Sequence, residues 1–292
     1  MNLIQSIYID SDKLVIYTKN NIYEFEIIGN NLLSYRGLKI RSCYLHKLLH
    51  LLEYNIPICK IDSSQQCVSI NGSKITIGAA KFYLNSISSP VIREVFIEGL
   101  KNFSKIDNKT IILDIGAYVG DTAIYYASQG AEVISLEPSP INYRYLVKNI
   151  KLNKLNNKIV PILGAYCYGS ITKKFLVEPI PDASLSVISK PSIFKLKRIR
   201  VRCYTLRDLL KMVKNNFEFT NLYLKVDCKG CEKEIITKEL DILKNFDEIN
   251  IEYDPRFSKL KIDKLLHILS NLSKDITIKK SAGEAVIIHI KI

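Results

Sequence analysis

The sequence predicts an α/β protein: a doubly wound, mostly parallel, seven-stranded sheet with helices on both faces, behind a small α+β N-terminal domain. Two observations carry this. From residue 111 onward, apolar strand-like runs alternate with amphipathic helical stripes, and the last two strand runs are adjacent, as in an antiparallel edge. Before about residue 86 the pattern differs, with short strands, one helix and an Asn-Gly hairpin signal. The expected division is therefore 1–86 and 87–292.

In the first segment, Leu3–Ile9, Leu14–Thr18 and Ile22–Ile28 read as short strands joined by polar turns. Tyr44–Tyr54 reads as a helix with Leu45, Leu48, Leu49 and Leu52 on one face. Val68–Ile77, with Asn71-Gly72 at its centre, reads as a type I′ hairpin. Nothing in this segment carries recognisable chemistry. A helix from Ser89 through about Asn102 comes next, with Ser89 as its cap and Pro90 in its first turn.

The chain is organised around residues 110–137. Ile111–Leu113 is a buried strand that ends at Asp114. Gly116 and Gly120 permit a sharp turn and a close approach of backbone to a ligand. Asp121 suits the cap of the next helix. The next strand, Glu132–Leu136, ends in Glu137, which lies 23 residues after Asp114. An acid there can accept hydrogen bonds from both hydroxyls of a ribose. The glycine spacing is D-x-G-A-x-x-G rather than G-x-G-x-x-G, and no Lys-Ser or Lys-Thr comes after it to cradle a triphosphate. This favours S-adenosylmethionine (SAM), whose sulfonium and amino-acid groups need no phosphate cradle.

Pro138-Ser139-Pro140 starts another helix, with Ile141, Tyr145, Leu146 and Ile150 on one stripe. The strand Ile159–Leu163 ends in Gly164-Ala165, small residues against which an adenine can lie. Phe175–Glu178 and Lys197–Tyr204 are further strands. In the second, Arg198, Arg200 and Arg202 alternate with Ile199, Val201 and Cys203. We read it as a solvated edge strand guarding against aggregation, with polyanion binding as the alternative. A helix at Leu206–Val213 precedes the strand Leu222–Val226, which contains Lys225 and ends at Asp227. Then come a helix at Glu232–Leu243, a strand at Asp247–Tyr253 carrying Glu252, and a helix at Leu260–Leu272. Strands at Ile276–Lys279 and Ala285–Ile290 close the sheet.

Hydrophobic residues make up 47% of the chain and charged residues 24%, a globular balance. No apolar stretch approaches the ~18 residues of a membrane helix. The start meets Asp10 and Asp12 early and lacks a basic region, so it does not read as a secretory signal. The expected location is the cytoplasm. A net charge of +13 suits nucleic acid, acidic glycans, phosphorylated carriers or anionic lipid, or reflects a lysine-rich composition. Seven cysteines, an odd and irregularly spaced set, argue against a secreted disulfide framework. Cys228 and Cys231 form the one C-x-x-C and are expected as reduced, packed thiols. No Cys and His cluster has zinc-site spacing.

The stretches LDIGAYVGDTA, SLEPSPINYRYLVKNIKLN, VRCYTLRDLL, YLKVDCKGCEKEI and INIEYD occur in that order. With them, residues 90–260 resemble the FkbM family of SAM-dependent methyltransferases. The K-x-D-x-x-G-x-E element, Lys225, Asp227, Gly230 and Glu232, is the family-level part of the likeness. The resemblance implies methylation of hydroxyls on sugars or secondary metabolites. It implies that Asp114, Gly116, Ala117 and Gly120 cradle the methionine moiety of the cofactor and Glu137 its ribose; we expect Tyr118, Asp121, Pro138 and Ala165 to line the same site. It places Asp227 beside the methyl group as general base, with Glu232 and Glu252 in support. The structural reading of Asp227, a helix cap, is compatible with that role. Lys229 departs from the family, which usually carries an acid before this glycine. The implied partner is a small-molecule or glycan acceptor, anionic in keeping with the charge. No metal ligand set is indicated, though a divalent ion at Asp227 is compatible with the sequence.

NIKLNKLNNKIVPILGA also resembles tRNA guanine methyltransferases, and the charge suits RNA. Against this, Gly164-Ala165 lacks the acid those enzymes carry there, and the chain has no Pro-Pro pair. A third reading is a non-catalytic module that keeps the fold and binds SAM or a partner.

Overall fold

The computed structural model describes residues 4–10, 12–29, 32–36, 38–59, 67–71, 73–177, 197–258, 260–281 and 284–292. Its contacts divide the chain into two units, Met1–Ile97 and Glu98–Ile292. The segment just after 86, assigned from the sequence to the second domain, thus belongs to the first unit.

The first unit holds a five-stranded antiparallel sheet in sequential order: Ile4–Asp10, Lys13–Thr18, Ile22–Gly29, Leu32–Tyr35 and Leu38–Arg41. The last two were not expected, because four residues are too few to establish a period of two. The helix Leu45–Glu53 buries Leu48, Leu49 and Leu51, while Leu45 and Leu52 are half-buried. The hairpin forms between Val68–Asn71 and Lys74–Ile77, and Ala80–Tyr83 adds a third strand. Gly72 of the expected turn lies outside the described residues. Arg36 and Asn55, both with left-handed backbone (φ 49° and 52°), line a cavity of about 520 Å³ together with Tyr23 and Tyr35. The helix expected through Asn102 ends early: Ser89–Ile92 runs into a wider π turn, Arg93–Ile97. Its cap position is Ser88, not Ser89.

In the second unit, seven strands form one sheet: β1 (Thr110–Ile115), β2 (Glu132–Glu137), β3 (Ile159–Leu163), β4 (Asn221–Val226), β5 (Glu248–Tyr253), β6 (Asp275–Lys280) and β7 (Val286–Lys291). Their order is β3-β2-β1-β4-β5-β7-β6. The first five are mutually parallel, and β7 runs antiparallel to both β5 and β6. β1 and β5 are buried at every position, as strands covered on both faces must be. The strand order reverses between β1 and β4, so a crevice opens at their carboxyl ends.

Local chemistry fixes the helix ends. Ser139 accepts from the Asn142 N–H, and Thr205 and Asp208 form a reciprocal capping box for Leu206–Asn216. The helix Asp121–Ser128 is capped by Gly120, not by the Asp121 side chain as expected. The helix expected over Glu232–Leu243 breaks after Lys238. Glu239 leaves helical geometry and its carboxylate accepts from the N–H groups of Leu206 (2.9 Å) and Arg207 (3.0 Å). An anion at a helix N-terminus is favourable, which offsets the interrupted helix.

Ala165–Tyr166, Thr172–Val177 and Lys197–Tyr204 form a separate three-stranded sheet, with Lys197–Tyr204 in the middle. Among the described residues, its arginine-bearing stretch, Lys197–Arg202, is paired on one side, with Thr172–Val177, as an edge strand is; the second neighbour joins at its end, where Cys203 and Tyr204 pair with Ala165 and Tyr166. Arg200 and Arg202 are exposed, and the Arg202 guanidinium lies 5.1 Å from the Tyr204 ring centroid. Glu178 and the Arg198 side chain lie outside the described residues.

The cysteines depart most from expectation. Disulfides join Cys59 to Cys67, Cys167 to Cys203 and Cys228 to Cys231, and Cys43 is free. Their Cα–Cα distances, 5.9, 5.2 and 5.6 Å, suit the bond. The tertiary fold makes the first two encounters and a local turn the third. A bridge between Ile58 and Val68 brings the first pair together, and strand pairing of Ala165 with Cys203 the second. A left-handed turn at Lys229-Gly230 (φ 46° and 119°) closes the third.

Two measurements test this packing. Gly116 has φ 82°, and a Cβ there would lie 1.9 Å from the Asp227 carbonyl oxygen. Gly169 has φ 70° with nothing within 4 Å of its Cβ position. Gly116→Ala should cost about 3–5 kcal/mol in unfolding experiments and Gly169→Ala about 1 kcal/mol; equal losses would mean that the β1–β4 contact is not as tight as described. Thiol counting on the unfolded, unreduced chain should find one free thiol, and seven would remove all three bridges.

Candidate active site

The site is built where β1, β4 and β5 end. Register places Asp114 of β1 opposite Lys225 of β4. The Lys225 Nζ lies 2.9 Å from Asp114 Oδ1 as an ion pair and donates a hydrogen bond to the Gly116 carbonyl at 2.6 Å. Thr122 Oγ1 donates to the other Asp114 oxygen at 2.8 Å. Burial works against the Lys225 charge, but Asp114 and Asp227 outweigh it and raise its pKa.

The glycine turn leads into the helix at Asp121. Tyr118 takes a left-handed backbone (φ 49°), which aims its N–H at Glu137 Oε2, 2.8 Å away. Glu137 Oε1 accepts from the Ser139 N–H (2.8 Å) and the Asn142 side chain (3.3 Å). Burial raises Glu137 to about 7, against the lowering effect of those N–H groups. Asp121 is raised to about 7 by burial, despite Lys225 and Lys101 nearby. Its Oδ1 is buried and, among the described residues, receives no hydrogen bond. Ala117 is fully buried in the turn. Pro138 comes directly after Glu137, in the link from β2 to the next helix.

SAM fits this chemistry. Of three buried carboxylates, Asp114, Asp121 and Glu137, the first is paired with Lys225, while Lys101, near Asp121, is paired with Asp227 and Glu252. A ligand bearing an ammonium and a sulfonium supplies the missing positive charge, and the orphaned Asp121 oxygen is an acceptor for its ammonium. Glu137 retains lone pairs for ribose hydroxyls beyond the three donors it already serves. The glycines serve packing as well. A Cβ at Gly116 would meet the Asp227 backbone, and one at Gly164 would lie 2.6 Å from the Tyr204 ring. The Gly164-Ala165 step thus accommodates Tyr204, and Ala165 packs in the small core around Cys167 and Cys203.

Beyond the glycine turn stands a closed ring of four charges. Asp227 Oδ2 is 2.8 Å from Lys101 Nζ, and Asp227 Oδ1 is 2.8 Å from Lys229 Nζ. Glu252 Oε2 is 2.8 Å from Lys101 Nζ, and its Oε1 pairs with Lys229. The four side chains are 5–16% exposed. Burial would raise Asp227, but Lys101, Lys229 and Lys225 prevail and hold it well below the usual carboxylate range. Asp227 is not a helix cap; the helix after it has Cys231 at that position. Glu232 points elsewhere, accepting from the Gly230 N–H (2.6 Å) and the Ser258 hydroxyl (2.9 Å), and burial raises it to about 7. Lys101 escaped the sequence reading, because it lies in an irregular stretch without a motif.

This sheet order, with a glycine turn after β1 and an acid closing β2, defines a SAM-dependent methyltransferase; SAM is the cosubstrate and supplies an electrophilic methyl group when bound. The chain belongs to the FkbM family: the Methyltransferase FkbM domain matches residues 114–275, a little over half of its length. It is 31% identical over 130 residues to the tRNA (guanine(37)-N(1))-methyltransferase Trm5b of Pyrococcus abyssi, covering 44% of this chain and 35% of that one. The Methanocaldococcus jannaschii Trm5b is 27% identical over 167 residues, covering 57% and 46%. The chain spans less than half the length of these curated relatives. Among solved structures, an FkbM methyltransferase from Methylobacillus flagellatus KT is similar with a TM-score of 0.43 and 16% identity, over 69% of this chain and 48% of that one. TYW2 of M. jannaschii in complex with AdoMet has a TM-score of 0.39 and 15% identity, over 78% and 86%.

The raised carboxylates give the site a pH signature. Asp121 and Glu137 are each raised to about 7, so both lose charge as pH falls below neutrality. A cationic ligand prefers the ionised forms. SAM affinity, measured by titration calorimetry across about one unit either side of neutrality, should rise with pH. Asp121→Asn and Glu137→Gln should each weaken binding and flatten that dependence. An affinity independent of pH in the native chain would show that neither carboxylate faces the ligand.

Proposed function

We propose that this chain methylates a hydroxyl on a sugar, glycan or secondary metabolite. The charge ring is the observation that carries the reading. A hydroxyl both donates and accepts, so it can give its hydrogen bond to Asp227 or Glu252 while accepting from Lys229 or Lys101. The ring borders the glycine turn, since the Asp227 N–H donates to the Ile115 carbonyl at 2.9 Å. Asp227 and Glu252 orient the acceptor in this scheme. A carboxylate held far below its ordinary pKa is a weak base, so Asp227 takes the hydroxyl proton only in passing. Glu232, engaged with Gly230 and Ser258, secures the loop that carries Asp227 and Lys229.

RNA methylation is the second reading, favoured by the tRNA methyltransferases among the relatives and by the net charge of +13.

The acceptor is tested by transfer of labelled methyl from SAM to separated fractions of cell extract. Label should enter the glycan and metabolite fractions, resist nuclease and fall at least ~10²-fold with Asp227→Asn. Label in tRNA would select the second reading. No transfer to any fraction by a chain that binds SAM would select a non-catalytic module.

A further inference from the structure

We infer that Lys229 and Lys101 together fill the place of a divalent cation between Asp227 and Glu252, so that this site organises its carboxylates without a metal. That a hydroxyl acceptor enters this ring rests on the proposed O-methylation; the charge arrangement does not. Two carboxylates carry −2, and two ammoniums supply the +2 that one bridging divalent ion would bring. Each ammonium touches both carboxylates, and each carboxylate gives one oxygen to each ammonium. Lys229 Nζ meets Asp227 Oδ1 at 2.8 Å.

Both lysines are held by the surrounding structure. The Lys101 carbonyl accepts from the Tyr126 hydroxyl (2.7 Å) and the Asn250 side chain (3.2 Å), which pins its backbone beside β5. Lys229 adopts a left-handed backbone inside the loop that the Cys228–Cys231 bridge closes. A lysine that accepts backbone strain to reach two buried carboxylates is placed for them. Burial disfavours its charge, yet Asp227 and Glu252 more than restore it. The donor set points the same way. Among the described residues, no group of three or more His, Cys, Asp or Glu is arranged to hold a metal ion. Two carboxylates already neutralised by resident ammoniums offer little to a divalent ion.

The test uses Mn2+ as the probe on the full oxidised chain, without acceptor, read by loss of the free-ion electron paramagnetic resonance signal and by calorimetry. The native chain should bind no Mn2+ at millimolar concentration. Lys229→Ala should bind one equivalent at least about tenfold more tightly than native, because a like charge beside the site is gone. Adding Asp227→Asn should abolish that gain, and Lys229→Arg, which keeps the charge, should show none. Lys101→Ala reads the same gain if Lys229→Ala fails to fold. Native Mn2+ binding that Asp227→Asn removes would overturn the inference, since the lysines would then yield to a metal. A folded Lys229→Ala chain with native SAM affinity and no gain in Mn2+ binding would overturn it too. If label enters tRNA while the Mn2+ pattern holds, the hydroxyl reading fails and the cation replacement stands.

Discussion

The Lys225–Asp114 pair is the interaction on which the rest of the second unit depends. It joins the last turns of the two strands at which the sheet order reverses. The same ammonium holds the Gly116 carbonyl, so one buried side chain sets both the strand ends and the first bend of the glycine turn. Removing one partner of a buried ion pair leaves the other uncompensated, at a typical cost of ~3–5 kcal/mol. The glycine turn then has little freedom. Gly116 packs on the Asp227 backbone, Tyr118 turns its N–H toward Glu137, and Gly120 starts the helix with a left-handed residue.

From that anchor, charge grades across the crevice. On the β1–β2 side, one of three buried acids, Asp114, is paired with a lysine, an environment for a cationic ligand. On the β4–β5 side, two acids share two lysines and the charge closes on itself. The two sides meet in the loop after β4, where the Asp227 backbone touches the glycine turn and its side chain enters the ring. The Cys228–Cys231 bridge and the Glu232 carboxylate, bonded to Gly230 and Ser258, fix the shape of that loop. A family-level sequence element thus has a division of labour: Lys225 joins the ends of β1 and β4, Asp227 enters the ring of charges, and Gly230 and Glu232 shape the turn between them.

Much of this was legible in the chain. Strands β1 to β5 and the antiparallel edge derive from apolar runs and their spacing, because a sheet covered on both faces demands continuous apolar strands. Other features were illegible for identifiable reasons. Strands of four residues in the first unit are too short to declare a period. The helix at 232 breaks because Glu239 serves a helix 33 residues earlier, a long-range demand that overrides local propensity. The arginine strand gains a second neighbour at Cys203 and Tyr204, where Ala165 and Tyr166 join it, which alternation alone does not reveal.

The sequence by itself determined the class of protein. Asp114, the glycine turn and Glu137 sit at spacings that only a strand–turn–helix–strand unit satisfies, and Lys225-x-Asp227-x-x-Gly230-x-Glu232 narrows that class to a family. Those signals are local, and local geometry is set by short-range sterics and periodicity. Only the tertiary structure decided which charges meet. Lys101 reaches Asp227 across 126 residues, Cys167 reaches Cys203 across 36, and Lys229 turns inward because a left-handed bend aims it at Glu252. Ion pairs and disulfides depend on distance in space, and distance in space is set by how the strands stack.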